Sequence, residues 1–372
     1  MSSERRMALY SAIRQEIQGI GKNSDRLVYA EIPLKPSESE KILPVVFSEK
    51  IRPNGPLLVL IGAQHNEYNG LFGLLHFFRN NGIEKLSEWQ EYTNGGILVS
   101  PITNVHGFLY PNKENKWGYF VDQNSKGRRV NSNRHWDKTL SYHVIQKNQR
   151  FIPVINRNLG SLILSLRKPT VKAENPVYLM DFHETSLVYR YWLDMSQNLS
   201  KEYRINHWIK RWLLSESSAY LHQKKVLNGK YSTSSHYASL RQYLNENLDH
   251  LQDKTFYFFT AANQFAMELT TMIDQRIYRN WSHELFPLDK RVFKSPYKKK
   301  GDFVDASSHR EWISAVAVEM RKLFYNLEKE RVACENSKNY QMGLKNRLLL
   351  NTQISSDIVD NFVGLTSEIL EE

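Results

Sequence analysis

The chain contains a single cysteine, Cys334, in 372 residues. An intramolecular disulfide is therefore impossible, as is a cysteine-built metal site, and the expected compartment is a reducing one, the cytoplasm. No apolar run approaches the roughly 20 residues needed to cross a bilayer. The opening segment has Ile13, Ile17 and Ile20 at helical spacing, but it carries Glu4 and Glu16 and lacks an apolar h-region. Neither a signal peptide nor a transit peptide is expected from it. Internal repeats and low-complexity stretches are absent too, which sets aside repeat architectures. Acidic residues are in the minority: 50 Lys and Arg face 39 Asp and Glu, for a formal net charge of +11. A positive field favours anionic ligands through long-range steering. The basic residues are spread along the chain, with one dense run at Lys298, Lys299 and Lys300, and no nucleic-acid recognition motif accompanies them. Neither a nucleic-acid nor a membrane partner is expected.

What is present is an ordinary globular composition, 41% hydrophobic and 24% charged, long enough to bury a sizeable core. Leu27 to Pro33 and Ile42 to Phe47 read as strands. Leu57 to Ile61 is apolar on both faces, the mark of a buried parallel strand. Leu71, Leu74, Leu75, Phe77 and Phe78 mark a helix that stops at Asn80-Asn81-Gly82. A strand from Gly96 to Pro101 follows, completing a βαβ unit and predicting a parallel or mixed sheet. Residues 113–137 form a long polar excursion, and 140–172 read mainly as helix. Val177 to His183 is another apolar strand with a polar end. Residues 200–250 read as helices and loops, and Phe256 to Phe259 and Phe265 to Leu269 read as strands. Ser308 to Glu330 reads as a helix, with Trp312, Val316, Val318, Met320, Leu323 and Leu327 as its apolar positions. Ile354, Ile358, Phe362 and Leu365 mark an amphipathic tail helix that docks on the body or on a partner. The expected fold is α/β: a single three-layer domain with a mixed, mostly parallel twisted sheet flanked by helices. Its parts are an N-terminal helical segment (1–24), the main domain (25–335) and a C-terminal helical tail (336–372).

Chemistry concentrates where the apolar strands stop. Leu57 to Ile61 leads through Gly62 and Ala63 into Gln64-His65-Asn66-Glu67. A second cluster runs from Pro101 through Asn104 to Gly107, followed by Arg128, Arg129, Asn131, Asn133 and Arg134. A third is Asp181-Phe182-His183-Glu184-Thr185, and a fourth is Glu268 among Phe265, Met267 and Leu269. Histidine and glutamate are the ligand types of a catalytic zinc, which takes three protein groups and leaves a fourth position for water. Strand ends of open α/β sheets are where such sites are built.

In this order the four clusters resemble the zinc metallocarboxypeptidase family, the carboxypeptidase A-like group that includes succinylglutamate desuccinylase- and aspartoacylase-type relatives. The likeness spans residues 55–330. Two departures stand out. Only Asn66 separates His65 from Glu67, where the family has two residues, so either His65 or Gln64 takes the place of the first histidine. His65 is preferred, because imidazole binds zinc better than a neutral amide oxygen does. Asn131 also stands where the family has Asp.

The resemblance implies one zinc per chain, held by His65 (or Gln64), Glu67 and His183. It implies Glu268 as general base, with Asn133 and Arg134 clamping a substrate carboxylate by a guanidinium fork. Arg128 would polarise the scissile carbonyl, with Arg129 and Lys116 as alternatives. Asp181 would support the metal from behind a ligand, and Tyr237 or Tyr243 would be a mobile tyrosine. The implied activity is hydrolysis of an amide next to a free C-terminal carboxylate. The substrate would be a peptide or, alternatively, an N-acyl amino acid. A catalytically inactive binding homologue is the alternative that the shortened His65–Glu67 spacing keeps open.

Overall fold

The computed structural model describes residues 3–33, 42–49, 55–64, 67–109, 120–121, 129–130, 136–140, 154–167, 175–185, 256–261, 263–282, 291–294, 310, 312–321 and 338–370. Its elements run α1 (Ser3–Lys22), β1 (Leu27–Pro33), β2 (Ile42–Ser48), β3 (Leu57–Ala63), α2 (Asn69–Phe77), α3 (Ile83–Thr93), β4 (Gly96–Ile102), α4 (Val105–Leu109), β5 (Phe120–Val121), β6 (Arg129–Val130), α5 (Trp136–Thr139), α6 (Val154–Leu166), β7 (Val177–Thr185), β8 (Phe256–Thr260), α7 (Gln264–Trp281), β9 (Val292–Lys294), β10 (Ile313–Arg321) and α8 (Lys338–Glu368). Eight strands make one sheet in the order β1-β2-β4-β3-β7-β10-β8-β9, and β5 pairs with β6 apart from it. The four central strands, β4, β3, β7 and β10, are mutually parallel. The β1–β2 pair joins one side antiparallel, and the β8–β9 pair joins the other antiparallel to β10. The expected α/β class and mixed, mostly parallel sheet are what is found.

Every residue of β3 and of β4 is buried, as the unalternating apolar runs require. The chain leaves β3 to build β4 on one side, while β7 docks on the other. β3 therefore stands at a topological switch point, and such a point is where a crevice forms at the carboxyl ends of neighbouring parallel strands. The helix stops at Asn80-Asn81-Gly82 as expected, where the backbone leaves helical geometry. Asn81 takes φ 63°, and α3 starts at once at Ile83.

Two assignments are corrected. Ile313–Arg321 is a strand, not part of a helix: Ile313 to Val318 are all buried, with β7 on one flank and β8 on the other. An apolar run with no polar face needs cover on both sides, which a central strand provides. Phe265–Leu269 is conversely the first part of α7 rather than a strand. Leu269, Ile273 and Ile277 recur at four-residue spacing on its buried side, and the Asn263 side chain caps it by accepting from the Ala266 N–H at 2.7 Å.

The tail helix α8 lies on the body. Ile354, Ile358, Phe362 and Leu365 are fully buried, and the Trp89 indole N–H donates to Thr366 Oγ1 at 3.1 Å. Trp281 donates to Asp357 Oδ2 at 2.7 Å, and Arg276 pairs with Glu368. Among the described residues no helix is long and apolar enough to cross a membrane. The α2–α8 contact is tight: a Cβ built at Gly73 would fall 2.3 Å from Ser355 Cβ. Gly73→Val should therefore lower stability by about 1–3 kcal/mol through overpacking, read as a shifted urea midpoint at unchanged slope. An unshifted midpoint would mean that α8 is not seated on α2.

Candidate metal centre

Four polar residues project from the ends of β3 and β7 into one buried cluster. Gln64 and Asp181 are 0% exposed, Glu67 4% and His183 6%. Ile61 is in register with Asp181, so the bend at Gln64 brings the segment after β3 alongside the end of β7. The Gln64 N–H donates to Glu67 Oε2 at 3.2 Å. The Gln64 carboxamide reaches across the crevice and donates from Nε2 to Asp181 Oδ2 at 2.5 Å. His183 lies two residues beyond Asp181 on the same face of β7, and its Nε2 shares that oxygen at 2.9 Å. The other ring nitrogen, Nδ1, faces Glu67 Oε1 at 3.5 Å.

Burial by itself pulls the His183 pKa down. The carboxylates of Asp181 and Glu67 outweigh it and hold the imidazole well above its ordinary value. The two acids thus strengthen the ring's hold on a proton. Asp181 Oδ1 is buried and has no hydrogen-bond partner among the described residues. Glu184, also buried, turns to the opposite face of β7, where its Oε1 accepts from the N–H groups of Tyr68 and Asn69 at the start of α2.

Two groups of this cluster are donor types that suit a divalent cation. Glu67 offers a carboxylate and His183 offers Nδ1, while Asp181 holds Nε2 from behind, the usual way a ligand histidine is oriented. Among the described residues, no three His, Cys, Asp or Glu side chains converge as a complete ligand set. The sequence expectation put Gln64 or His65 beside these two. Gln64 has its side chain in the cluster, three residues before Glu67; His65 lies outside the described residues. A carboxamide oxygen is a poorer zinc ligand than an imidazole.

Glu268 does not join the cluster. It is on the exposed side of α7 and accepts from Gln264 Nε2 at 2.6 Å. Asn263, which caps that helix, donates to the Ile313 carbonyl at the start of β10, and Phe265 packs on Tyr178 at the start of β7. The helix thus begins at the amino ends of the parallel strands, about 20 Å from their carboxyl ends. The strand expected around Glu268 rested on the alternation of Phe265, Met267 and Leu269; on the helix Leu269 is buried, Phe265 and Met267 are half-buried and Glu268 stays in solvent.

The residue that sequence reasoning missed is Glu319. It is half-buried on β10 and stands in parallel register with His183, so the two share a face and an end of the sheet. Its signal was legible: Ile313 to Val318 is an apolar run closing on an acid, the same form as the runs before Glu67 and His183. Arg129 opens β6. Arg128, Asn133, Arg134, Lys116, Tyr237 and Tyr243 lie outside the described residues.

No family model matches the chain, and no curated protein matches it either. Solved structures similar to it carry metallopeptidase and carboxypeptidase descriptions. A Shewanella denitrificans protein, provisionally described as a metallopeptidase, is 12% identical over 96% of this chain and 88% of its own, with a TM-score of 0.46. A metallo-carboxypeptidase from Burkholderia cenocepacia is 8% identical over 100% and 70%, at 0.45. Bovine thrombin-activatable fibrinolysis inhibitor, in complex with tick carboxypeptidase inhibitor, is 11% identical over 97% and 98%, at 0.42. Likeness at this level adds nothing to what the sheet and the cluster show by themselves.

Asp181→Asn removes the nearer of the two charges that hold the His183 proton. In metal-free protein, ring NMR shifts should show wild-type His183 as imidazolium at neutral pH and the variant titrating at a lower pH. Equal titration in both would remove Asp181 from its place behind the ring.

Proposed function

We propose that this protein is a zinc-dependent hydrolase of amide bonds adjacent to a free carboxylate, a metallocarboxypeptidase acting in the cytoplasm. One observation carries the reading: Glu67, in the connection from β3 to α2, and His183, on β7, stand 3.5 Å apart out of water, with the imidazole held from behind by Asp181. Glu67, His183 and either His65 or Gln64 would hold one zinc per chain. Zinc, when bound there, supplies Lewis acidity and lowers the pKa of a bound water.

Each remaining role belongs to the chain's own groups. Glu319 takes over the general-base role first expected of Glu268. Its carboxylate accepts the proton of the attacking water and returns it to the leaving amine. Arg128 offsets charge growing on the scissile carbonyl oxygen, and Asn133 with Arg134 clamps the terminal carboxylate. Peptides and N-acyl amino acids both present the required amide and carboxylate, and both belong to the substrate class.

A second reading, an inactive binding homologue, is favoured by the buried Gln64 side chain three residues before Glu67. Two measurements separate the readings. Purified protein from zinc-replete medium should carry about one zinc per chain, as three protein ligands imply, and should lose it on Glu67→Ala or His183→Ala. Metal-free wild type would favour the binding homologue. A gain of zinc and activity on Gln64→His would assign the third ligand position to residue 64.

Glu319→Gln should retain metal and lose about 10²–10⁴-fold in kcat on a C-terminally free peptide or N-acyl amino acid, the usual worth of a general base. Glu268→Gln should leave kcat unchanged. The reverse pattern would return the role to Glu268.

A further inference from the structure

We propose that Glu184 is the positioning residue of this metal centre: it bridges the end of β7 to the first turn of α2 and so fixes Glu67 opposite His183. The proposal rests on reading the cluster as a metal centre. The contacts run in both directions across the crevice. Glu184 Oε1 accepts from the backbone N–H of Tyr68 and of Asn69, each at 2.6 Å. The backbone N–H of Glu184 itself donates to Glu67 Oε1 at 3.2 Å. One Glu67 oxygen is therefore tied to β7, while the other takes the Gln64 N–H. Glu67 is held at both oxygens, and the residue after it is held by the same glutamate.

The local sequence supplies no substitute for this bridge. Tyr68 occupies the position before α2 and makes no side-chain cap. The first N–H groups of a helix have no partner within the helix, and Ser, Thr, Asp or Asn usually serves them. Here the acceptor comes from a strand 116 residues away in sequence. A carboxylate at that end also gains from the helix dipole. Shape acts beside charge. Phe182 lies on the same face of β7 as Glu184, and a Cβ at Gly70 would fall 2.2 Å from Phe182 Cβ. The first turn of α2 thus rests directly on β7, with Glu184 fixing its remaining freedom. Because alternate residues of a strand face opposite sides, the Glu184 carboxylate works from the face opposite the imidazole. Its effect on the metal is transmitted through Glu67.

The test is the zinc affinity of the full chain, measured by competition with a chromophoric chelator, together with amide hydrogen exchange. Glu184→Ala should bind zinc about 10–100-fold more weakly, the usual loss when support behind a ligand is removed. Glu184→Gln keeps an oxygen acceptor and should recover most of that loss. The Tyr68 and Asn69 amides should exchange faster in Glu184→Ala than in wild type. Ile273→Ala, a buried truncation in α7, should lower Tm and leave zinc affinity as in wild type. If Glu184→Ala fails to fold, Glu184→Asp, which shortens the reach by one methylene, is read in its place. Wild-type affinity in the Glu184 variant, or an equal loss in Ile273→Ala, would overturn the positioning role and leave the metal centre standing. Wild-type protein that takes up no zinc would remove both.

Discussion

Two carboxylates and one imidazole, taken out of water together at the junction of β3 and β7, set the terms for the rest of the molecule. Buried charge is tolerated only when it is paired and hydrogen-bonded. Asp181 and Glu67 face a single His183 ring and raise its affinity for a proton, so two carboxylates share one imidazole. A divalent cation that displaces the ring proton brings the two carboxylates to neutrality. Metal uptake at such a site releases protons and weakens in acid, because cation and proton compete for one nitrogen. Glu184 stands outside this balance, since two helix N–H groups take up its charge.

The sheet exists in the form it does to keep that cluster in one place. β3 and β7 are central and parallel, with Leu57–Ala63 and residues 177–184 buried, so their carboxyl ends are held side by side. α2 is pressed between that edge and α8, with Gly70 against Phe182 on one side and Gly73 against Ser355 on the other. The tail helix thereby supports the segment that carries Glu67 without touching the chemistry. β10 adds Glu319 in register with His183, a third strand delivering a polar group to the same edge.

Three of the four central strands, β3, β4 and β7, were legible because each is apolar on both faces and leads into polar residues. That form marked Glu67, His183 and Asp181 as strand-end polar residues, and their roles came from the family resemblance. β10 was misread because Trp312, Val316 and Met320 also satisfy a helical period, and short apolar runs do not distinguish the two. What decides the matter is the presence of β7 and β8 on either flank, supplied by chain more than fifty residues away on the nearer side. The opposite error at Phe265–Leu269 came from a window of five residues. The inward spacing appears only when Ile273 and Ile277 are included. Glu184 as the cap of α2 had no sequence signal at all, because its partners are joined to it only by the fold. The third metal ligand stayed open for a chemical reason: Gln64 has the spacing and His65 has the better donor.

The most direct measurement is a crystal structure of zinc-loaded protein, phased for anomalous scattering at the zinc edge. A single peak between His183 Nδ1 and the Glu67 carboxylate, with Asp181 still on Nε2, is the predicted result. A metal-free cluster in which the His183 ring remains paired with Glu67 at saturating zinc would contradict the account.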